Sequence, residues 1–241
     1  MSDEPIKLVQ FPRHLGIPNA SPFCAKLELW LKLADISYEI EEQVMPNSAP
    51  KKKIPWIMDQ GQKIGDSTLI IEHLTKTRDV KLDDGLSASE LAADQATVAL
   101  LEERIYWQLV YDRWEGGGWP EISAAFFTSI PAILQPIMRA FAKRMVKKQL
   151  WQQGTGRHSA DDVYAMASRD LNALAAIVGD GPYVHGDKIR TIDCAVWGTL
   201  ISLTQVSLDT PMTRAARTHD NLVVYADRIT REYFPDFARD T

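Results

Sequence analysis

The sequence predicts a two-domain chain, with an α/β domain over residues 1–80 and an all-α helical bundle over 88–241. Two observations carry this. Short apolar runs alternate with a single helical segment in the first part, whereas past a polar stretch, Arg78 to Ser89, the apolar residues recur only at helical spacing.

Ile6 to Gln10 reads as a strand, ended by the Phe11-Pro12 step. Ser21-Pro22 then opens a helix, with Ser as N-cap and Pro at the first helical position. Leu27, Leu31 and Ala34 give that helix an apolar face, widened by Trp30 and Leu33. Ser37 to Glu41 is a second strand, with Tyr38 and Ile40 alternating against acids. Ile54 to Met58, the Gln60-Gly61 turn and Lys63 to Gly65 form a hairpin. Asp66-Ser67 caps the next helix, which carries Leu69, Ile70, His73 and Leu74. A helix between the first two strands favours a parallel pair with a right-handed crossover, and the hairpin adds antiparallel strands. This βαβ–ββα order is that of a thioredoxin-like domain.

In the second part Leu91, Val98, Leu101, Ile105 and Leu109 share one helix face. Val163, Ala167, Leu171, Leu174 and Val178 share another, and Leu222, Tyr225, Ile229 and Tyr233 mark a last helix. Ile122 to Phe141 is largely apolar, but Pro131, Pro136 and Arg139 interrupt it, so it reads as buried helix and turn, not as a membrane span.

Composition excludes several classes. The net charge of −5, from 27 basic and 32 acidic side chains, gives no global attraction for nucleic acid. Cys24 and Cys194 are too few for a disulfide framework and suit a reducing, cytoplasmic setting. The acidic Met1 to Pro5 start does not read as a secretory signal.

Several stretches together resemble the glutathione transferases, and more narrowly their failed-axon-connections-like branch. They are Gln10-Phe-Pro-Arg13, Pro18-Asn-Ala-Ser-Pro-Phe-Cys24, Lys26-Leu27-Glu28, Pro50-Lys-Lys-Lys-Ile-Pro-Trp56, Asp66-Ser67, Gln153-Gly-Thr-Gly-Arg-His-Ser159, Gly186-Asp187 and Asp193. The resemblance spans nearly the whole chain. It implies the glutathione transferase fold, conjugation of reduced glutathione to an apolar electrophile without a metal, and a homodimer. One departure stands out: Arg190 occupies the position three before Asp193 where the family usually has Ser or Thr. Arg cannot accept the N–H bonds of a helix start, so that cap must shift or weaken.

The resemblance also assigns a site. Pro55 would be cis and turn the Ile54 backbone toward the cysteinyl unit of glutathione; by residues alone it equally starts an edge strand as a trans proline. Asp66 and Ser67, otherwise a plain capping pair, would take the γ-glutamyl ammonium and carboxylate at a helix N-terminus. Of Lys51, Lys52 and Lys53, which also read as a solvated loop, Lys53 is the first candidate for the glycyl carboxylate.

Ser21-Pro-Phe-Cys24 is similar to a redox CxxC motif with Ser in the first position. The Ser21 hydroxyl leads as the donor that stabilises the glutathione thiolate, with Asn19 and Cys24 as alternatives. Cys24, if exposed, would be acidified in the first helical turn, which leaves a Cys24-dependent thiol transferase open. Trp107, Tyr111 and Trp114 share a face, read either as core or as the electrophile's wall beside Gly116-Gly-Gly118.

From Ile122 to Ala160 there is no acid, while Arg139, Lys143, Arg144, Lys147, Lys148 and Arg157 are basic. This zone is either the wet side of a helix, a contact for an anionic membrane surface over 122–160, or an attractor of anionic substrates. Arg157-His158 reads as a structural pin ahead of Ser159, with His158 as catalytic base the lesser alternative. A non-catalytic adaptor for protein or membrane-surface contact is the second functional reading.

Overall fold

The computed structural model describes residues 5–127 and 130–239. Met1 to Glu4, part of the segment read as lacking a leader, and Thr128 and Ser129 lie outside the described residues.

The N-terminal elements are β1 (Ile6–Gln10), α1 (Pro22–Leu33), β2 (Tyr38–Glu42), β3 (Trp56–Asp59), β4 (Gln62–Gly65) and α2 (Ser67–Arg78). The sheet order is β2-β1-β3-β4, with β1 parallel to β2 and antiparallel to β3. Ser21 caps α1 by accepting the Cys24 N–H, with Pro22 at its start. At the sheet edge β2 exposes Ile40, which therefore does not alternate inward as its spacing suggests.

The helical part begins with α3 (Ala88–Ala99), which passes through a π-helical turn, Leu100–Ile105, into α4 (Tyr106–Trp114). There follow α5 (Trp119–Phe126), α6 (Gln135–Gln153), α7 (Ala160–Val178), α8 (Thr191–Leu200), α9 (Pro211–Arg217) and α10 (Asp220–Tyr233). The expected apolar faces of α7 and α10 are buried, except for the half-buried Tyr233. Leu91, expected on the inner face of α3, is exposed. The wider π turn between them puts α3 out of phase with Leu101, Ile105 and Leu109, which are buried.

One apolar stripe was expected on α1, yet the helix is buried nearly all round, because the sheet covers one side and α8 the other. Its two buried charges are paired. Lys26 Nζ donates to Thr68 Oγ1 and Glu102 Oε1, both at 2.8 Å, and Glu28 accepts from Arg13 at 2.6 Å and Gln10 at 2.9 Å. The α1–α8 crossing is close enough to need a glycine. A Cβ on Gly198 would lie 2.6 Å from the Pro22 carbonyl oxygen and 3.0 Å from Lys26 N. The helical domain thus packs directly against the first turn of α1, where Ser21 sits.

The α8 cap has shifted, as Arg190 requires. Asp193 Oδ2 accepts the Arg190 N–H at 2.6 Å, while the Thr191 N–H is met at 2.9 Å by Asp83, from the segment joining the domains. The Arg190 guanidinium grips that same segment through the carbonyls of Leu82 (2.6 Å) and Asp84 (2.8 Å). A long-range carboxylate thus meets the first N–H of α8, while the Asp193 N–H turns back to the Arg190 carbonyl where a family hydroxyl would accept.

The stretch Ile122 to Phe141 is not uniformly buried. Ile122 and Phe127 are in the core, but Ile133, Leu134, Ile137 and Phe141 are exposed. Pro136 lies in the first turn of α6, where its missing N–H costs nothing, so the prolines set where the helix starts and say nothing of its cover. Among the described residues no helix is long and apolar enough to cross a membrane.

Candidate functional site

A cleft of about 380 Å³ opens where the N-terminal domain meets α4 and α6. On its N-terminal side it is lined by Ser21, Lys52, Lys53, Ile54, Pro55, Asp66 and Ser67, with Phe11, Phe23 and Pro46. Glu102, Glu103, Tyr106, Trp107 and Gln149 line it from the helical side.

Ser21 is held from three directions. Its Oγ accepts the Cys24 N–H at 3.4 Å, and its own N–H donates to Asn19 Oδ1 at 3.0 Å. The preceding carbonyl, of Ala20, accepts from Arg113 Nη1 at 2.6 Å, across the domain boundary. The Arg113 guanidinium is buried and also donates to the Ser202 carbonyl at 3.2 Å; desolvation pulls its pKa down to about 10. The Ser21 oxygen accepts in the cap, and the side chain lies within hydrogen-bond reach of the Cys24 sulfur while also lining the cleft.

The Ile54–Pro55 peptide is cis. Asp66 caps α2 with Oδ1, which accepts from Thr68 N at 3.0 Å and Leu69 N at 3.3 Å. Its φ of 87° is one that L-residues rarely adopt, a conformation costing about 1–3 kcal/mol and common at ligand sites. The second carboxylate oxygen takes no part in that cap, and Ser67 sits buried beside it at the positive end of α2. Lys52 Nζ is engaged on the Asn47 carbonyl at 2.7 Å, whereas Lys53 is exposed at the cleft. Lys51 does not line the cleft.

Several expected residues are placed elsewhere. Cys24 is fully buried, and burial pushes its thiol up to about 12, so it is not the acidified thiol that an exposed first-turn cysteine would be. Asn19 is also buried and donates Nδ2 to the Phe11 carbonyl at 2.8 Å, so it braces the loop and does not face the cleft. Tyr111 and Trp114 are off the cleft as well. They lie roughly 6 and 10 Å farther along the helix axis than Trp107, where Tyr111 meets Tyr164 and Trp114 meets Trp119. Gly116 serves packing there, since a Cβ would come within 2.5 Å of the Tyr164 hydroxyl. His158 is exposed and off the cleft, and Arg157 donates Nε to the Trp151 carbonyl at 2.9 Å.

Spacing missed the residues that do face Trp107. Tyr106 packs edge-on against Phe23 of α1, ring centres 4.8 Å apart, and burial raises the pKa of its phenol, so the hydroxyl stays protonated. Glu102, Glu103 and Tyr106 reach the cleft from the π turn and the residue after it. Such turns often mark functional sites, but no residue pattern in this stretch distinguishes a π turn from α-helix.

Two family descriptions match the chain: Glutathione S-transferase N-terminal domain over residues 22–118, and Glutathione S-transferase, C-terminal domain over 167–229. The chain is 34% identical over 233 residues to the isoprene-epoxide–glutathione S-transferase of Rhodococcus sp. (strain AD45), covering 90% of this chain and 94% of that protein. It is 30% identical over 246 residues to Failed axon connections of Drosophila melanogaster, covering 96% of this chain and 59% of the other. Against the mitochondrial outer membrane import complex protein METAXIN of Arabidopsis thaliana it is 23% identical over 227 residues, covering 90% and 69%. Among solved structures, the β-etherase LigF of Sphingobium sp. strain SYK-6 superposes with a TM-score of 0.65 at 16% identity, over 97% of this chain and 98% of that one. At that identity the likeness is one of fold.

Proposed function

The chain belongs to the glutathione S-transferase superfamily, in its failed-axon-connections and metaxin-related branch, and we propose that it conjugates reduced glutathione to a small apolar electrophile. The observation that carries this reading is the convergence of Ser21, Ile54, Asp66 and Ser67 on one cleft at the domain boundary. Asp66 takes the γ-glutamyl ammonium, Ser67 and the α2 N-terminus take its carboxylate, and the Ile54 backbone pairs with the cysteinyl unit. Lys53 meets the glycyl carboxylate. The Ser21 proton then points at the sulfur and favours its thiolate form. Catalysis on this reading is thiolate stabilisation and the positioning of two reactants.

The relative that acts on isoprene epoxide suggests an epoxide as the electrophile. The sulfur attacks an epoxide carbon, the C–O bond breaks, and the alkoxide takes the Tyr106 proton, which solvent restores. Trp107 and Phe23 supply apolar walls for the hydrocarbon part. A homodimer, as is general in the superfamily, belongs to the same proposal.

Calorimetric titration with reduced glutathione tests the site. Binding should weaken about tenfold in Ser67→Ala, the scale of one charge-assisted hydrogen bond. Equal affinity in the variant contradicts this placement. The second reading, a non-catalytic adaptor, is favoured by the similarity to an import-complex protein; an absence of heat with the wild-type chain at two temperatures would select it.

A further inference from the structure

Half of the twelve large apolar side chains left exposed among the described residues fall in one stretch: Ile133, Leu134, Ile137, Phe141, Met145 and Trp151. Ile133 is 85% exposed, Ile137 68% and Phe141 61%, so these are protruding side chains and not edges of the core. The inner face of α6 is made by Val146 and Leu150. At 3.6 residues per turn, Ile137, Phe141 and Met145 recur along the opposite face, and Arg144 and Lys148 share that face with them.

The electrostatics of this face are as one-sided as its polarity. No Asp or Glu occurs between residues 122 and 160, in a chain of net charge −5. Other cations of α6 are engaged within the fold. Arg139 donates to Gln135 at 2.9 Å, Lys143 stands over the Trp119 ring at 5.2 Å, and Lys147 pairs with Glu115 at 3.3 Å. Arg144 and Lys148 have no acidic partner among the described residues.

A merely solvated face has no use for Ile137 and Phe141, and the bases alone would suffice. Docking on a second copy would set Arg144 and Lys148 against their own counterparts with no acid nearby to offset the repulsion. An anionic lipid surface satisfies both features, because it offers an apolar boundary layer beneath a sheet of negative headgroups. We propose that α6 lies flat on an anionic membrane surface, with Ile137, Phe141 and Met145 at the acyl–headgroup boundary and Arg144 and Lys148 against the headgroups. The contact is peripheral, and it does not depend on glutathione conjugation.

Co-sedimentation of the full chain with vesicles tests the proposal, comparing phosphatidylserine–phosphatidylcholine mixtures with phosphatidylcholine alone. The wild-type chain should pellet with the anionic vesicles and be released by salt. The double variants Ile137→Asp/Phe141→Asp and Arg144→Glu/Lys148→Glu should each lower the partition coefficient about tenfold or more. Both alter exposed side chains only, so their circular dichroism and melting temperature should match the wild type. The proposal is overturned if the wild type ignores anionic vesicles, or if it binds them equally well after both substitutions. It is also overturned if sedimentation velocity shows a self-association that Ile137→Asp/Phe141→Asp abolishes, since a second copy would then cover the face.

Discussion

The Ser21 oxygen caps α1, and the same side chain lines the cleft, where the proposed role of its proton is to meet the glutathione sulfur. Asn19 and Arg113 hold the flanking backbone by hydrogen bonds to Ser21 N and the Ala20 carbonyl. Three positions away, Cys24 shares the same turn with the opposite character, because complete burial keeps its sulfur protonated until about pH 12. Burial likewise raises the Cys194 pKa. Across the working range of a thiol-modifying reagent, then, neither sulfur is ionised in the folded chain. Titration with a chromogenic disulfide at pH 8 should find essentially no reactive thiol in the native protein and both after denaturation. Cys24→Ser should leave glutathione conjugation within about twofold of wild type, because the thiolate is not supplied by the protein. Rapid native labelling of Cys24, or loss of conjugation in a folded Cys24→Ser variant, would reinstate the thiol-transferase reading. Sequence ranked Ser21 ahead of Asn19 and Cys24, but what separates them in the structure is burial, which is a property of the packed chain and not of the local residues.

At the scale of elements, the α1–α8 crossing decides where the site can form, since it brings α4 and the π turn over the first turn of α1. Gly198 permits that crossing through its lack of a Cβ. Gly198→Ala should destabilise the fold by about 1–3 kcal/mol, as overpacked cores do, measured by chemical denaturation. It should also reduce glutathione affinity by displacing Ser21. An undiminished midpoint would mean that the helices separate freely. Caps and strands were legible from residue chemistry: Ser21-Pro22, Asp66-Ser67 and the Gln60-Gly61 hairpin all stand where their local signals put them. Helix faces were legible where the neighbours cover one side of the helix, as for α7 and α10. The all-round burial of α1, the exposed Leu91 and the off-cleft Tyr111 and Trp114 arise from the second layer supplied by α8, the π turn and distance along the helix axis. The Asp83 cap of α8 was also beyond local reading, because its partner lies more than a hundred residues away.

At the scale of the whole molecule, two surfaces divide the work that the chain can do. The cleft between the domains combines a helix N-terminus, a carboxylate, a lysine and aromatic walls, which suits an anionic tripeptide beside an apolar partner. The outer face of α6 combines exposed apolar residues with Arg144 and Lys148, which have no acidic partner among the described residues, and this suits a lipid boundary. The acid-free composition of 122–160 announced the second surface, but its burial was misjudged, because prolines mark where a helix starts and not what covers it.

The most direct test of the account is the ionisation of glutathione while bound, followed by thiolate absorbance against pH in the wild type and in Ser21→Ala. The account predicts that the bound thiol ionises at least about one pH unit below free glutathione in the wild type, and returns toward the free value in Ser21→Ala while binding persists. A bound thiol that ionises like free glutathione in the wild type, or an acidified one untouched by Ser21→Ala, would contradict it.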